Sequence, residues 1–116
     1  MLEGMGMGKS FFKIDNRETL DKLITDSKNK PVVIFKHSNS CGISSAAYRE
    51  MEKLENQVNL LEVQSARDVS REVADLTGIP HETPQVIVLK DGKAVWNASH
   101  FEVKAGAVKQ ALESHT

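Results

Sequence analysis

The pattern of apolar and polar residues along the chain predicts alternating strands and helices. Residues 31–37, PVVIFKH, form a continuous β-branched and aromatic run, which is typical of a strand buried on both faces. Residues 58–64, VNLLEVQ, predict the next strand. Between them, from about residue 41 to 55, apolar residues recur at spacings of four, four and three, as one face of a helix requires. That stripe consists of Ile43, Ala47, Met51 and Leu54.

Capping residues predict where the helices begin, because their side-chain oxygens can accept hydrogen bonds from the free N–H groups of a first turn. They are Asp15 with Glu18, Asp68, and Ser99 with Glu102. Gly78 is expected to end the third helix. The last two helices are predicted to bury apolar stripes. Those stripes are Val69, Val73 and Leu76, then Phe101, Ala105, Val108 and Leu112.

The predicted order of elements is β-α-β-α-β-α-β-β-α. FFKI, residues 11–14, supplies the first strand, and residues 84–97 form a β-hairpin that turns at Asp91-Gly92. Early alternation of strands and helices implies parallel strands with right-handed crossovers, and the hairpin adds an antiparallel edge. The fold class is therefore α/β, a mixed sheet with helices on both faces.

Composition narrows the class of protein. At 116 residues the chain is expected to form one domain, residues 11–116, after a flexible leader, residues 1–10. A formal net charge of −1 and few aromatic residues argue against nucleic-acid binding. No apolar run is long enough to predict a membrane span. A single cysteine cannot form an internal disulfide, which fits a reducing compartment, so we expect the protein in the cytoplasm. We also expect a monomer.

That cysteine, Cys41, follows a buried strand and comes where a helix is predicted to begin. The free N–H groups and positive dipole of a helix start favour a thiolate, so we expect its pKa to lie below the ordinary value of about 8.5. Lys36 and His37 are expected to add positive charge nearby. The polar neighbours, residues 38–40, indicate an exposed loop, although a buried structural cysteine is the alternative.

A second motif is HETP, residues 81–84, directly before a predicted strand. Proline cannot donate to a sheet ladder, so Pro84 marks a strand start or a bulge. From the residues alone we expect an ordinary trans proline.

Together, these motifs resemble the monothiol bacilliredoxins, proteins of the thioredoxin fold linked to the thiol bacillithiol. The resemblance rests on KHS at a strand end, Cys-x-x-Ser opening a helix, HETPQ opening a hairpin strand, and VWNASH. It covers about residues 11 to 113. It implies a three-layer α/β/α sandwich and a thiol-disulfide oxidoreductase that removes bacillithiol from protein mixed disulfides. Bacillithiol is then a co-substrate, no cofactor is tightly bound, and the partners are bacillithiolated client proteins.

The resemblance also implies residue roles. Cys41 matches the reactive cysteine, and Gly42, Ile43 and Ser44 complete its motif, where the family usually has proline in place of Gly42. Thr83-Pro84 matches the cis-proline dipeptide that lies against the reactive cysteine and contacts bound substrate. His81 and His37 are candidate substrate-binding residues because they are expected to border the cleft, and satisfied surface histidines are the alternative. Three further positions match without an implied role: Trp96, Asn97 and His100.

Other chemistries remain open at this point. The motif is close to the Cys-Gly-Phe-Ser of monothiol glutaredoxins, which carry iron–sulfur clusters with glutathione, but the chain has Asn97-Ala98-Ser99-His100 where those proteins have a glycine-rich segment followed by aspartate. A thioredoxin-like adaptor with an incidental cysteine is a non-enzymatic alternative. A Cys–His hydrolase lacks an evident third group, and the scattered histidines argue against a metal site.

Overall fold

A computed structural model describes residues 11–39 and 42–116. In this part of the chain, strands and helices follow the predicted order. The strands are β1 Phe12–Lys13, β2 Val32–His37, β3 Val58–Glu62, β4 Gln85–Lys90 and β5 Lys93–Ser99. The helices are α1 Arg17–Asp26, α2 Gly42–Glu52, α3 Arg67–Thr77 and α4 Ala105–Ser114, with a 3-10 turn at His100–Glu102. The leader predicted at residues 1–10 lies outside the described residues.

The strands form one mixed sheet in the order β1-β3-β2-β4-β5. β2 is central, pairing in parallel with β3 and antiparallel with β4. In the second ladder Lys36 lies opposite Gln85, so the carboxyl end of β2 meets the beginning of β4. This register brings the segment that follows β2 and the HETP segment that precedes β4 to the same edge of the sheet.

Two hydrophobic clusters lie on opposite faces of the sheet, as a strand buried on both sides predicts. Val33 and Phe35 of β2 face the cluster that α2 and α4 cover, whereas Val32 and Ile34 face the cluster that α1 and α3 cover. The period of two residues along a strand produces this separation. The α/β/α layers predicted from the sequence are therefore confirmed.

The hairpin between β4 and β5 turns where the sequence predicts. Asp91 has φ of 56° and Gly92 has φ of 76°, so both central residues are in the left-handed region that a type I′ turn requires. Gly78, which ends α3, is also left-handed at φ of 74°. Glycine adopts this conformation without the steric cost of a Cβ.

The predicted caps of α1 and α3 were each misplaced. Asn16 rather than Asp15 caps α1, and its Oδ1 accepts a hydrogen bond of 2.8 Å from Thr19 N–H. Both residue types are good caps, so their order in the sequence could not decide between them. The N-cap of α3 is Ala66, which makes no side-chain capping bond, and Asp68 lies inside the first turn.

The chain between β5 and α4 also differs from the prediction. Ser99 makes no side-chain capping bond, and the 3-10 turn separates β5 from α4. Phe101 therefore precedes the helix and is 69% exposed. Leu76, in the last turn of α3, is 48% exposed although its spacing predicted an inward position. The spacing of apolar residues shows which face of a helix is apolar, but the packing of neighbouring elements decides how much of that face is buried.

Candidate active site

The segment that contains the only cysteine of the chain connects β2, the central strand, to α2, a helix that covers one face of the sheet. Cys41 and Ser40 lie outside the described residues. The flanking elements agree with the sequence prediction, because β2 ends at His37 and α2 begins at Gly42. Gly42 is exposed, and a Cβ at this position would meet nothing within 4 Å. Space therefore does not demand glycine where the family usually has proline. Ile43 is half-buried.

The HETP segment lies at the same edge of the sheet. The Thr83–Pro84 peptide bond is cis, which is the isomer that the family resemblance implied and not the trans form expected from the residues alone. Pro84 is buried and directly precedes β4, and its carbonyl accepts a hydrogen bond of 2.8 Å from His100 N–H. Thr83 is half-buried. The register of β4 against β2 thus places the cis-proline beside the carboxyl end of β2.

Ser44 is fully buried and connects α2 to the end of β2. Its Oγ accepts a hydrogen bond of 2.9 Å from Ser38 N–H and lies 3.0 Å from Nδ1 of His37. Because the oxygen already accepts from Ser38, its own proton is available to His37 Nδ1. Ser44 therefore holds the segment that follows β2 against the first turn of α2.

His37 is 7% exposed and lies behind this segment. Its ring packs against Phe35 and Tyr48, with centroid distances of 5.6 and 5.0 Å. Burial lowers the pKa of His37, and the negative charge of Glu62 partly opposes that change. His37 is thus a neutral residue at neutral pH that supports Ser44.

A polar cluster on the opposite face of the sheet was missed by the sequence reasoning. Lys36 has no exposed surface, and its Nζ lies 3.2 Å from Nδ1 of His81. Ser70 Oγ, from α3, lies 3.1 Å from the same nitrogen. Burial lowers the pKa of Lys36 to about 8. The only sequence signal was a lysine interrupting the apolar run of β2.

These contacts define the proton positions of the cluster. With a pKa of about 8, Lys36 is mainly an ammonium at neutral pH and must donate its hydrogen bond. Nδ1 of His81 therefore accepts, and the ring proton lies on Nε2. Burial lowers the pKa of His81, and the positive charge of Lys36 lowers it further. The ring is accordingly neutral and presents an N–H on its other edge.

The cluster borders an open cleft of about 490 Å³ between α3 and the segment that follows β2. Its polar lining is Ser38, Gln64, Arg67, Ser70, Arg71 and His81. Of these, only Ser38 and His81 belong to motifs that the sequence analysis singled out.

The remaining motif residues are not part of this cleft. Trp96 is half-buried and packs against the cluster beneath α2 and α4, as a packing residue does. Asn97 is exposed. His100 is exposed, with Nδ1 3.7 Å from Glu82 Oε1.

Across residues 11–39 and 42–116, the His, Asp and Glu side chains form no group of three that could hold a metal ion. The helices described there are too short or too polar to cross a membrane.

Comparison with known protein families decides the class of protein. A family model described as monothiol bacilliredoxin BrxC matches residues 12–108. The chain belongs to this family. The match spans β1 through the first turn of α4, so it includes both the cysteine motif and the HETP segment. The resemblance noted from the sequence is therefore confirmed.

Solved structures confirm the thioredoxin fold. A protein with a thioredoxin fold and an inferred oxidoreductase activity is 32% identical, with a TM-score of 0.79, covering 86% of this chain and 91% of its own. A mutant thioredoxin from Halobacterium salinarum NRC-1 is 17% identical, with a TM-score of 0.72, covering 97% and 96%. Fasciola hepatica thioredoxin is 18% identical, with a TM-score of 0.72, covering 91% and 100%. Family and fold together support a thiol redox function.

Proposed function

We propose that this protein removes bacillithiol from mixed disulfides of client proteins through Cys41. The observation that carries the proposal is a single cysteine in a chain that matches the monothiol bacilliredoxin family over residues 12–108. Ser44 occupies the position where a dithiol protein has its second cysteine, and a hydroxyl cannot form a disulfide. Bacillithiol is a co-substrate in this proposal, and no cofactor is bound tightly.

The proposed reaction is one thiol–disulfide exchange. The Cys41 thiolate attacks the bacillithiol sulfur of the client mixed disulfide. A new bond forms between Cys41 and bacillithiol as the client–bacillithiol bond breaks, and the client sulfur leaves as a thiolate that takes a proton from solvent. An external thiol then attacks the bacillithiol sulfur. A disulfide between the external thiol and bacillithiol forms as the bond between Cys41 and bacillithiol breaks, and Cys41 leaves as a thiolate. The thiol must be external because the chain has no second cysteine.

The surrounding residues have supporting roles in this proposal. The backbone of Thr83, on the amino side of the cis bond, is proposed to pair with the bound mixed disulfide. Ser44 and His37 are proposed to keep the segment after β2 in position, which is supported by the 3.0 Å contact between them. Ser44 and His37 are buried, so holding this segment in position suits them better than direct contact with the substrate.

The nucleophile requires a thiolate at neutral pH. Cys41 directly precedes Gly42, the first residue of α2, and the free N–H groups of a first turn stabilise negative charge. We therefore expect its pKa to lie below about 8.5, the ordinary value of a free cysteine. The measurement is the rate of iodoacetamide alkylation as a function of pH. An inflection at or above the ordinary value would remove the physical argument for catalysis.

The function itself is tested by a release assay. One client protein is prepared with a bacillithiol adduct and the same client with a glutathione adduct. We expect faster release of bacillithiol, no release by Cys41→Ser, and one small-thiol adduct on the peptide containing Cys41 after a single turnover. Circular dichroism checks that Cys41→Ser is folded. Client release without any modification of Cys41 would contradict the mechanism, and faster release of glutathione would redirect the proposal to that thiol.

A second variant tests the monothiol character. Ser44→Cys introduces a thiol at the position of the missing second cysteine, so the adduct on Cys41 can be resolved within the chain. We expect the single-turnover adduct to disappear and an internal disulfide to form instead. Persistence of the wild-type adduct would mean that the two positions do not meet in the reacting protein.

A further inference from the structure

The cleft beside α3 is built for an anionic group. It lies on the α1 and α3 side of the sheet and reaches Ser38, three residues before Cys41 in the sequence. Arg67 and Arg71 both line it, one helical turn apart on α3, so their side chains share one face of the helix. Among the described residues, no carboxylate lines the cleft.

The two arginines are not neutralised elsewhere within the described part of the chain. Neither Arg67 nor Arg71 takes part in a salt bridge there, whereas Glu72, which follows Arg71 on α3, is paired with Arg17 at 2.8 Å. If the two arginines formed ion pairs with protein carboxylates, their role would be structural. Here the guanidinium groups remain available to a ligand.

A further donor lines the cleft beside the arginines. His81 lines it, and with Nδ1 occupied by Lys36 and Ser70 its remaining ring N–H is a donor. Lys36 places a positive charge 3.2 Å behind that ring. The cleft therefore presents two guanidinium groups and a ring N–H, with the buried ammonium of Lys36 behind the ring, and these groups favour an anion over a neutral or cationic group.

We propose that this cleft binds the carboxylate groups of the low-molecular-weight thiol while its sulfur is exchanged at Cys41. The inference rests on the proposed function, which supplies the small thiol. Bacillithiol and glutathione both carry carboxylates remote from the sulfur. Guanidinium groups bind carboxylates with paired N–H donors, so Arg67 and Arg71 serve as specificity residues. The cleft thereby favours carboxylate-bearing thiols over neutral thiols of similar size.

The test compares adducts that differ in charge. One client is prepared with bacillithiol, glutathione or the neutral 2-mercaptoethanol in mixed disulfide. The double variant Arg67→Gln, Arg71→Gln should lower kcat/KM by about tenfold or more for the two carboxylate-bearing adducts, because it removes both charge-assisted hydrogen bonds to the carboxylates. Arg49→Gln is the matched control, because Arg49 is exposed on α2, on the opposite face of the sheet. The ratio of the bacillithiol and glutathione losses identifies which thiol fits the cleft.

A binding measurement separates this inference from the proposed function. S-methyl bacillithiol and S-methyl glutathione cannot exchange, so they are titrated into wild-type and variant protein while backbone amide shifts are recorded. We expect shifts at Gln64, Arg67 and His81 that the double variant abolishes and Arg49→Gln retains. Equal losses for charged and neutral adducts, no loss for either, or shifts that survive in the double variant would overturn the inference. If wild-type protein releases no adduct yet binds these probes through the arginines, only the proposed function fails.

Discussion

Replacing Lys36 by methionine should make this protein more stable at neutral pH. Lys36 is an ammonium without exposed surface, and within the described residues it forms no salt bridge. Burial lowers its pKa from 10.5 to about 8. That change corresponds to a cost of about 3 kcal/mol for holding the charged form in the folded protein, at about 1.4 kcal/mol for each tenfold change in proton affinity. Lys36→Met keeps much of the side-chain volume and removes the charge.

The sign of the pH dependence follows from proton binding. Below a pH of about 8 Lys36 is protonated in both states, and the cost is fully present. Between about 8 and 10.5 the unfolded chain binds more protons than the folded protein, so this group makes the free energy of unfolding rise with pH. Linkage gives a remaining cost of about 1.4 kcal/mol at a pH of about 9.5, and almost none above the ordinary pKa.

The substitution also removes the hydrogen bond to His81, which contributes about 1 kcal/mol. We therefore expect Lys36→Met to be more stable than wild type by about 2 kcal/mol near pH 7, with the advantage lost near a pH of about 9.5. Urea unfolding at both pH values measures the two differences. Lys109→Met, at an exposed site on α4, is the control and should show neither effect. A variant that is less stable than wild type near pH 7, or whose stability difference does not change with pH, would refute the reasoning.

Four further substitutions test the site and the fold. Ser44→Ala removes the buried hydroxyl that contacts His37 Nδ1, so the free energy of unfolding should fall by about 1–3 kcal/mol. Bacillithiol release should remain measurable. Complete loss of release in a folded variant would mean that Ser44 is catalytic. Met51→Ala, at a fully buried site, should lower unfolding free energy by about 2–5 kcal/mol in urea titrations, and a smaller change would mean that the core collapses around it. Asn16→Ala removes the α1 cap and should cost about 1 kcal/mol, whereas Asp15→Ala should cost less; the reverse ranking would contradict the cap assignment.

Local pattern was sufficient for the elements and for the cysteine motif. The run PVVIFKH predicts β2 because burial on both faces requires apolar residues at every position, and Asp91-Gly92 predicts the hairpin because a type I′ turn needs positive φ at both central residues. The only cysteine is visible by inspection, and its combination with HETP carries the resemblance to the family. These features depend on neighbours within a few residues, which the sequence lists directly.

Features that depend on distant neighbours were decided by the tertiary structure. Leu76 and Phe101 fit apolar stripes but are exposed among the described residues, since spacing along the chain does not show how far a neighbouring element covers a stripe. The chain itself permits either isomer before Pro84; the fold has the cis form next to the end of β2.

The arginine cleft is the clearest case of a feature that only the fold creates. Lys36 and His81 are 45 residues apart in the sequence, and Ser70 joins them from a third element. Nothing local distinguishes Arg67 and Arg71 from the other charged residues of an amphipathic helix. They line the same cleft as Ser38 because β3, which precedes α3, pairs in parallel with β2. The sequence by itself determined the elements and the position of the cysteine between β2 and α2, and the packing of those elements decided which polar side chains line the cleft beside α3.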